Sequence, residues 1–414
     1  MKKIIFSFIF SILIANLIMC SDDSSSDSSG SNTTDTEQTV KENNYVNAAT
    51  GDDKTGDGTK TNPYSTITKG ISMTTTPGGS VFISEGSYNE TVYLQEGISL
   101  YGAYKNSDWS ERNTSSYSTI IYGSSYSIRA ESGITSITII DGLTLKNGIK
   151  NSSSSPTIQN NRIEAGYYDD GYYAIINSGS SPIIKNNDIY SWGGIRNYTS
   201  SSPEIYNNRI TVHKYGIYNS DSTSSPLIYN NIIEAGGLDS NLSMGIDNEG
   251  LVTKIYNNTI KVTAYSSTAI RALATGIGIH DSNPEIINNI IYTYTVGSNC
   301  DRYGIYEYST SSDPAIVNNN DIFDCPTGLY YDENSSGITD LTTAFSTGEG
   351  TNTLSFWSNV SNDPLFDSSS ATDFGLLDSS PVKSAGKDLS AYFTEDYDGN
   401  SRTAPWSIGA FEKD

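Results

Sequence analysis

The chain is poor in the residues that make most active sites. Among its 414 residues there are 2 histidines, 3 cysteines and 4 methionines. A shared histidine metal site would need His213 and His280 together, and they stand far apart in the chain. Basic residues are also scarce, 24 Lys and Arg against 47 Asp and Glu, for a net charge of −23. A body that acidic argues against nucleic acid and anionic membrane surfaces as partners, since phosphate contacts need Lys and Arg. It argues equally against polyanionic sugars, unless a local basic patch or bound Ca²⁺ compensates. Long apolar runs are missing except one, Ile4 to Met19. At roughly 16 residues that run falls short of the about 20 that a spanning helix needs. No segment carries a 3.6-residue apolar period over helical length, which excludes helical repeats.

The N-terminus reads as an export signal. Lys2 and Lys3 precede the apolar run, the arrangement of a secretory signal. Leu17-Ile18-Met19-Cys20 resembles a lipobox, which implies that residues 1–19 are removed and that Cys20 is diacylated. Residues 20–41, rich in Ser and Asp, have almost nothing apolar to bury and are expected to be a disordered tether. The expected setting is the cell envelope, anchored by lipid to the outer membrane or cell surface.

What the chain does have is a repeat. A block Pro-x-Ile-x-Asn-Asn-x-Ile occurs first as Pro156-Thr-Ile158-Gln-Asn160-Asn161-Arg-Ile163. It returns with the Asn pairs Asn186-Asn187, Asn207-Asn208, Asn230-Asn231, Asn257-Asn258, Asn288-Asn289 and Asn318-Asn319, the last copy carrying one extra residue. A second element, Gly-Ile, precedes most copies, as at Gly194-Ile195, Gly216-Ile217, Gly245-Ile246, Gly278-Ile279 and Gly304-Ile305. Each repeat is too small to hold a core alone, so the units must stack. Apolar residues alternate at period 2, as in strands, and the Asn pair suits a corner because Asn tolerates the left-handed conformation. Stacked Asn side chains are expected to form a ladder of amide hydrogen bonds from coil to coil.

These residues resemble the right-handed parallel β-helix of the pectin-lyase-like superfamily. The segment from Gly51-Asp52-Asp53 to Gly56-Asp57-Gly58 and on through Pro63 to Ile67 looks like the start of the domain of unknown function 1565. That likeness implies a short capping helix over Ser65 to Thr75. Asp363-Pro364-Leu365-Phe366 and Ile408-Gly409-Ala410-Phe411 resemble the tail of surface β-helix proteins. The expected fold is all-β: a parallel β-helix over residues 42–340, continued and closed by an irregular C-terminal cap over 341–414.

The resemblance implies sugar chemistry without naming it, because this fold carries many functions. A lyase needs a Lys or Arg base and a partner for a uronate carboxylate. Arg162, Asp188 and Arg209 fall at one offset in successive coils and read as an outward charge ladder. A hydrolase needs clustered carboxylates, and Asp169-Asp170-Gly171 reads as a loop instead. Asp52, Asp53 and Asp57 could hold Ca²⁺, though turn formation explains them as well. Tyrosine is abundant, with 30 residues. Tyr206, Tyr229 and Tyr256 precede successive Asn pairs, should face outward, and are the candidate sugar-stacking row. Cys300 and Cys325 occupy nearly the same place in successive coils and are expected to form a disulfide. The expectation is thus a lipid-anchored monomer that recognises a glycan or a protein, or serves a structural role, without nucleic acid. The alternative is a carbohydrate-active enzyme, lyase before hydrolase.

Overall fold

The computed structural model describes residues 42–413 apart from 76, 167–172, 238–240, 267–270, 334–336, 342–355 and 371. Among the described residues are three long parallel sheets and one short helix. From Thr119–Ile121 to Phe356–Trp357 each strand of these sheets pairs with the strand three positions further along the chain, the signature of a coil that visits three sheets per turn. Sheet 1 runs from Asn43–Val46 to Phe356–Trp357, sheet 2 from Gly86–Tyr88 to Asp321–Phe323, and sheet 3 from Val92–Tyr93 to Gly328–Tyr331. The chain is a right-handed parallel β-helix.

Three columns of isoleucine fill the coil. In sheet 1 they are Ile140, Ile158, Ile184, Ile205, Ile228, Ile255 and Ile286, in direct register. Sheet 2 supplies Ile163, Ile189, Ile210, Ile233, Ile260, Ile291 and Ile322. Sheet 3 supplies Ile149, Ile175, Ile195, Ile217, Ile246, Ile277 and Ile305. All of these side chains are inaccessible to solvent. Burying each stabilises by roughly 1.5–3 kcal/mol, so the column is the main driving force for stacking.

The two asparagines of each pair do different work. The first takes the left-handed turn, with φ between 49° and 60° at Asn160, Asn186, Asn207, Asn230, Asn257, Asn288 and Asn319. The second points inward and builds the ladder. Nδ2 of Asn187 donates to Oδ1 of Asn208 at 3.0 Å, and the same bond links Asn208 to Asn231, Asn231 to Asn258, and Asn258 to Asn289. In the last copy the extra residue shifts the pair. Asn318 ends a strand, Asn319 makes the turn, and Asn320 carries the ladder on to Asn359. A second ladder, absent from the sequence reading, joins Asn151, Asn177, Asn197, Asn219 and Asn248 along sheet 3.

The Gly-Ile element has a steric cause. A Cβ on Gly216, Gly245, Gly276 or Gly304 would sit 2.2–2.4 Å from the Cγ2 of the inward isoleucine of sheet 2. The register also corrects one copy, because Gly276-Ile277, not Gly278-Ile279, aligns with Gly245-Ile246.

The helix, Ile67–Ser72, lies within the expected 65–75 and packs on the strands Asn43–Val46, Gly79–Ser84 and Val92–Tyr93. Thr66 caps it, and the Glu90 carboxylate accepts from Ile67 N and Thr68 N, two donors that no helical carbonyl can reach. The C-terminal residues do not simply continue the coil. Phe356–Trp357 pairs with sheet 1, but residues 382–411 return as a strap along the flank of earlier coils. The turn asparagines grip that strap. Asn319 Nδ2 donates to Ala385 O, Asn288 Nδ2 to Lys387 O, Asn257 Nδ2 to Ser407 O, and Asn230 Nδ2 to Glu395 O. Arg402 of the strap turns a fully buried side chain inward, bonded to Glu412, Asn230 Oδ1 and three backbone carbonyls.

Candidate functional site

The strap overturns the expectation for the tyrosine row. Tyr206, Tyr229 and Tyr256 do face out of sheet 1 in register, and the first two stack at 4.7 Å. Phe393 then stacks on Tyr229, Tyr392 lies against Tyr256, and Leu389 and Trp406 close over both. Tyr229 and Tyr256 are left only 6% and 0% exposed, so no sugar ring reaches them in this state. The strap's own aromatics satisfy the platform.

Cys300 and Cys325 are free thiols, a second correction. Sγ of Cys300 lies 2.9 Å from Thr295 Oγ1, and Sγ of Cys325 lies 3.6 Å from Thr293 Oγ1. The two sulfurs thus rest against different threonines of one strand, and no bond joins them. Asp52 and Asp57 each cap the backbone of their own turn, and Asp53 accepts from Ser65 N and Thr66 N ahead of the helix. Cys20, Asp169 and Asp170 lie outside the described residues. His213 stacks on Trp192, far in register from His280.

The richest chemistry lies on the outer face of sheet 3. One outward column reads Tyr93, Arg129, Lys150, Ile176, Arg196, Tyr218, Asp247, Gly278, Tyr306, Tyr331 in unbroken register. Its first half is basic. Arg129 pairs with Glu131, but Lys150 and Arg196 have no carboxylate partner among the described residues. They stand two strands apart, about 9.6 Å. Arg196 lies 5.2–5.7 Å from the ring centres of Tyr173, Tyr198 and Tyr218, a cage of three tyrosines. Lys150 lies over Tyr126.

Further along the column, Gly278 lets three neighbouring side chains close in. A Cβ there would be 3.2 Å from Tyr308 and 3.3 Å from both Asp247 Oδ1 and Met244 Sδ. His280 closes over it, stacked on Tyr308 at 4.0 Å, with Nε2 only 2.8 Å from Asp247 Oδ1. That contact is an ion pair without good hydrogen-bond alignment. Asp247 Oδ1, His280 Nε2, Tyr308 Oη and Thr275 Oγ1 are all buried atoms, and they face one another as two poorly aligned pairs, His280 with Asp247 and Tyr308 with Thr275. Burial works against a charge on His280, but Asp247, with Glu249 and Asp281 beyond it, outweighs that and holds its pKa above the ordinary 6.5. Burial also raises Tyr306 to about 12. At the end of the sheet, Glu307, Asp332 and Glu333 bring three carboxylates together. Burial raises Glu307 to about 9, against the Tyr330 hydroxyl that donates to it and helped by Asp332 and Glu333.

No protein-family model matches the chain, and no curated protein matches it. Solved structures do. A pectate lyase, Pel9A, superposes with a TM-score of 0.51 at 14% identity, covering 91% of this chain and 97% of its own. A complex of XylC with xylose gives 0.45 at 13% identity, over 89% and 98% of the two chains. The Dettilon tailspike protein gives 0.36 at 13% identity, over 71% and 68%. The fold is that of the pectate lyase β-helix. At this identity the likeness reaches the coil and stops short of the side chains, so the chemistry of sheet 3 stands on its own residues.

Sequence reasoning missed this face for a definable reason. Lys150, Arg196, Asp247 and His280 belong to different repeats of 20–31 residues, and the Gly276-Gly278 ambiguity hid the alignment of Asp247 with a glycine. The Gly-Ile-x-Asn pattern was the available signal, because the residue between Ile and Asn is the outward one.

Proposed function

We propose that the chain is a lipid-anchored envelope protein that binds an acidic polysaccharide along the outer face of sheet 3. The observation that carries this is the pair of cations, Lys150 and Arg196, that have no carboxylate partner among the described residues and are set among tyrosine rings on a chain of net charge −23. An isolated cation strip is the compensation that an acidic body needs before it can hold uronate carboxylates. The flanking tyrosine rings offer faces for sugar rings, an amphipathic contact suited to a partly wet surface. The N-terminal signal and Cys20 supply the anchor in this reading.

A second reading is turnover of the same polymer. It is favoured by the buried polar group of Asp247, His280, Tyr308 and Thr275, of which Asp247 lies in the same column as the cations. Asp247 would hold the imidazole, and His280 would exchange a proton with a sugar atom at its partly exposed edge.

The test uses the full-length protein in detergent, titrated with polygalacturonate and alginate oligomers, with the ultraviolet absorbance of unsaturated uronate followed with and without Ca²⁺. Binding that weakens at least tenfold in Arg196→Ala and Lys150→Ala, and falls with salt, supports recognition. Product that disappears in His280→Ala establishes turnover. Binding unchanged in both cation variants, or no binding to either polymer, overturns the proposal. Loss of palmitate incorporation in Cys20→Ser tests the anchor.

A further inference from the structure

A different groove lies on the far side of the Asn turns, and it is built by the point at which the strap stops. The residue after each Asn pair forms its floor. In chain order these are Arg162, Asp188 and Arg209, then Ile232, Thr259 and Ile290. The strap and the segment before it cover the second group: Phe374 and Phe411 pack on Ile232, and Leu376 and Ile408 pack on Ile290. Over the first group no described residue closes the track. It holds a cavity of about 680 Å³ lined by Arg162, Asp188, Tyr190, Asn207, Arg209 and Glu234, with Thr372 and Tyr397 of the C-terminal segment as its end wall. A second cavity of about 450 Å³ continues it past Asn160 toward Thr114 and Ser115. Each falls in the size range of ligand sites.

The turn asparagines show what this track offers a ligand. Over the covered coils, Asn230, Asn257, Asn288 and Asn319 spend their amides on the strap backbone. Over the open coils, Oδ1 of Asn207 is a buried atom with no hydrogen bond. The floor charges cancel in neighbouring pairs. Arg162 bonds Asp188 and Glu164 at 2.6 Å each, and Arg209 lies 3.3 Å from Glu234. The Arg162 and Asp188 side chains are nonetheless 51% and 45% exposed, open to a ligand. Such a surface has little net charge to attract an ion. It presents paired donors and acceptors once per coil, about 4.8 Å apart. An apolar segment like the strap would desolvate these charges at a cost.

We propose that this groove binds a neutral, hydroxyl-rich polysaccharide strand running along the coil axis. Neighbouring hydroxyls of each sugar would meet an Arg–carboxylate pair and a turn amide, and the half-exposed ring of Tyr190 would take a sugar face. This site is independent of the sheet 3 reading. It shares no residue with that face, and it is selected by the absence of carboxylate on the ligand.

Calorimetry of the full-length protein with linear oligomers of glucan, xylan, mannan and galactan, six residues or longer, tests it. At least one is expected to bind, and to weaken tenfold or more in Arg209→Ala and in Asn207→Asp, which keeps the left-handed turn. Arg196→Ala should leave that affinity unchanged, which separates the two sites. Tyr190→Ala provides a third variant on an exposed position should the charge changes disturb folding. The inference is overturned if none of the four polymers binds. It is also overturned if binding survives both groove variants with native thermal midpoints, or if an extended peptide panel binds through Arg209 while the sugars do not.

Discussion

Asn208→Ala tests the account of how the coils are held together. The Asn208 side chain is inaccessible to solvent and takes part in five hydrogen bonds. Its Oδ1 accepts from the backbone N and from Nδ2 of Asn187 in the coil before, both at 3.0 Å. Its Nδ2 donates to Ile184 O, Tyr206 O and the Oδ1 of Asn231 in the coil after. Alanine removes all five and leaves the buried Asn187 N–H with no acceptor. One orphaned buried donor costs about 1–3 kcal/mol, and the shared bonds on the Nδ2 side add about 1 more, for a loss of roughly 2–4 kcal/mol. The neighbouring residue serves as control. Asn207 sits at φ 52°, where glycine is at ease, so Asn207→Gly should change stability by no more than about 1 kcal/mol. Urea unfolding followed by circular dichroism, with both variants measured beside the parent, gives the comparison. A cost below about 1 kcal/mol for Asn208→Ala, or a larger cost for Asn207→Gly, would refute the division of labour within the Asn pair.

Three further outcomes are expected. Asp321 is fully buried at the end of the groove floor, where burial raises its carboxyl to about 7 against one hydrogen bond from Asn362 N. Its folded pKa exceeds its unfolded one, so stability is complete below about pH 4 and is lost as pH rises through 7; Asp321→Asn should be the more stable form at pH 8, by a few kcal/mol at about 1.4 per pKa unit, and equal to the parent near pH 3.5. His280 faces Asp247, Glu249, Asp281 and Tyr308, and its proton is held above pH 6.5; with only two histidines in the chain, an NMR titration should resolve it, and Asp247→Asn should bring its pKa down. The stability this pair adds is present below pH 6.5 and fades as pH climbs through the raised value. Finally, Cys300 and Cys325 should both react with a thiol reagent in urea without prior reduction, and no reaction at either would restore the disulfide.

The architecture was legible because it is periodic. A β-helix repeats one local decision many times, so seven Asn pairs and the alternating isoleucines averaged out the ambiguity of any single copy. The same locality explains the helix over Ile67–Ser72 and the outward Arg162–Asp188–Arg209 row, both of which follow from offsets within repeats. What failed was everything that depends on residues distant in the chain. Tyr229 and Tyr256 were correctly placed as outward, yet they are buried, because Phe393 and Trp406 come from a segment more than a hundred residues later. Cys300 and Cys325 were correctly assigned to neighbouring coils, but Cys300 opens a strand after a long arm that runs to Val296, whereas Cys325 sits in the short corner after Phe323, so an equal offset from the glycine does not bring the sulfurs together.

The sequence by itself thus determined the coil, because inward apolar residues at period 2 and a left-handed Asn turn leave the chain one way to close its core. Only the tertiary structure decided which outward residues meet solvent. A returning strap covers the apolar floor at Ile232 and Ile290 and leaves Arg162, Asp188 and Arg209 open. Nor could any single repeat reveal that Lys150, Arg196, Asp247 and Gly278 share one column. A site assembled across coils exists only once the register between them is set, and register follows from packing of the whole stack.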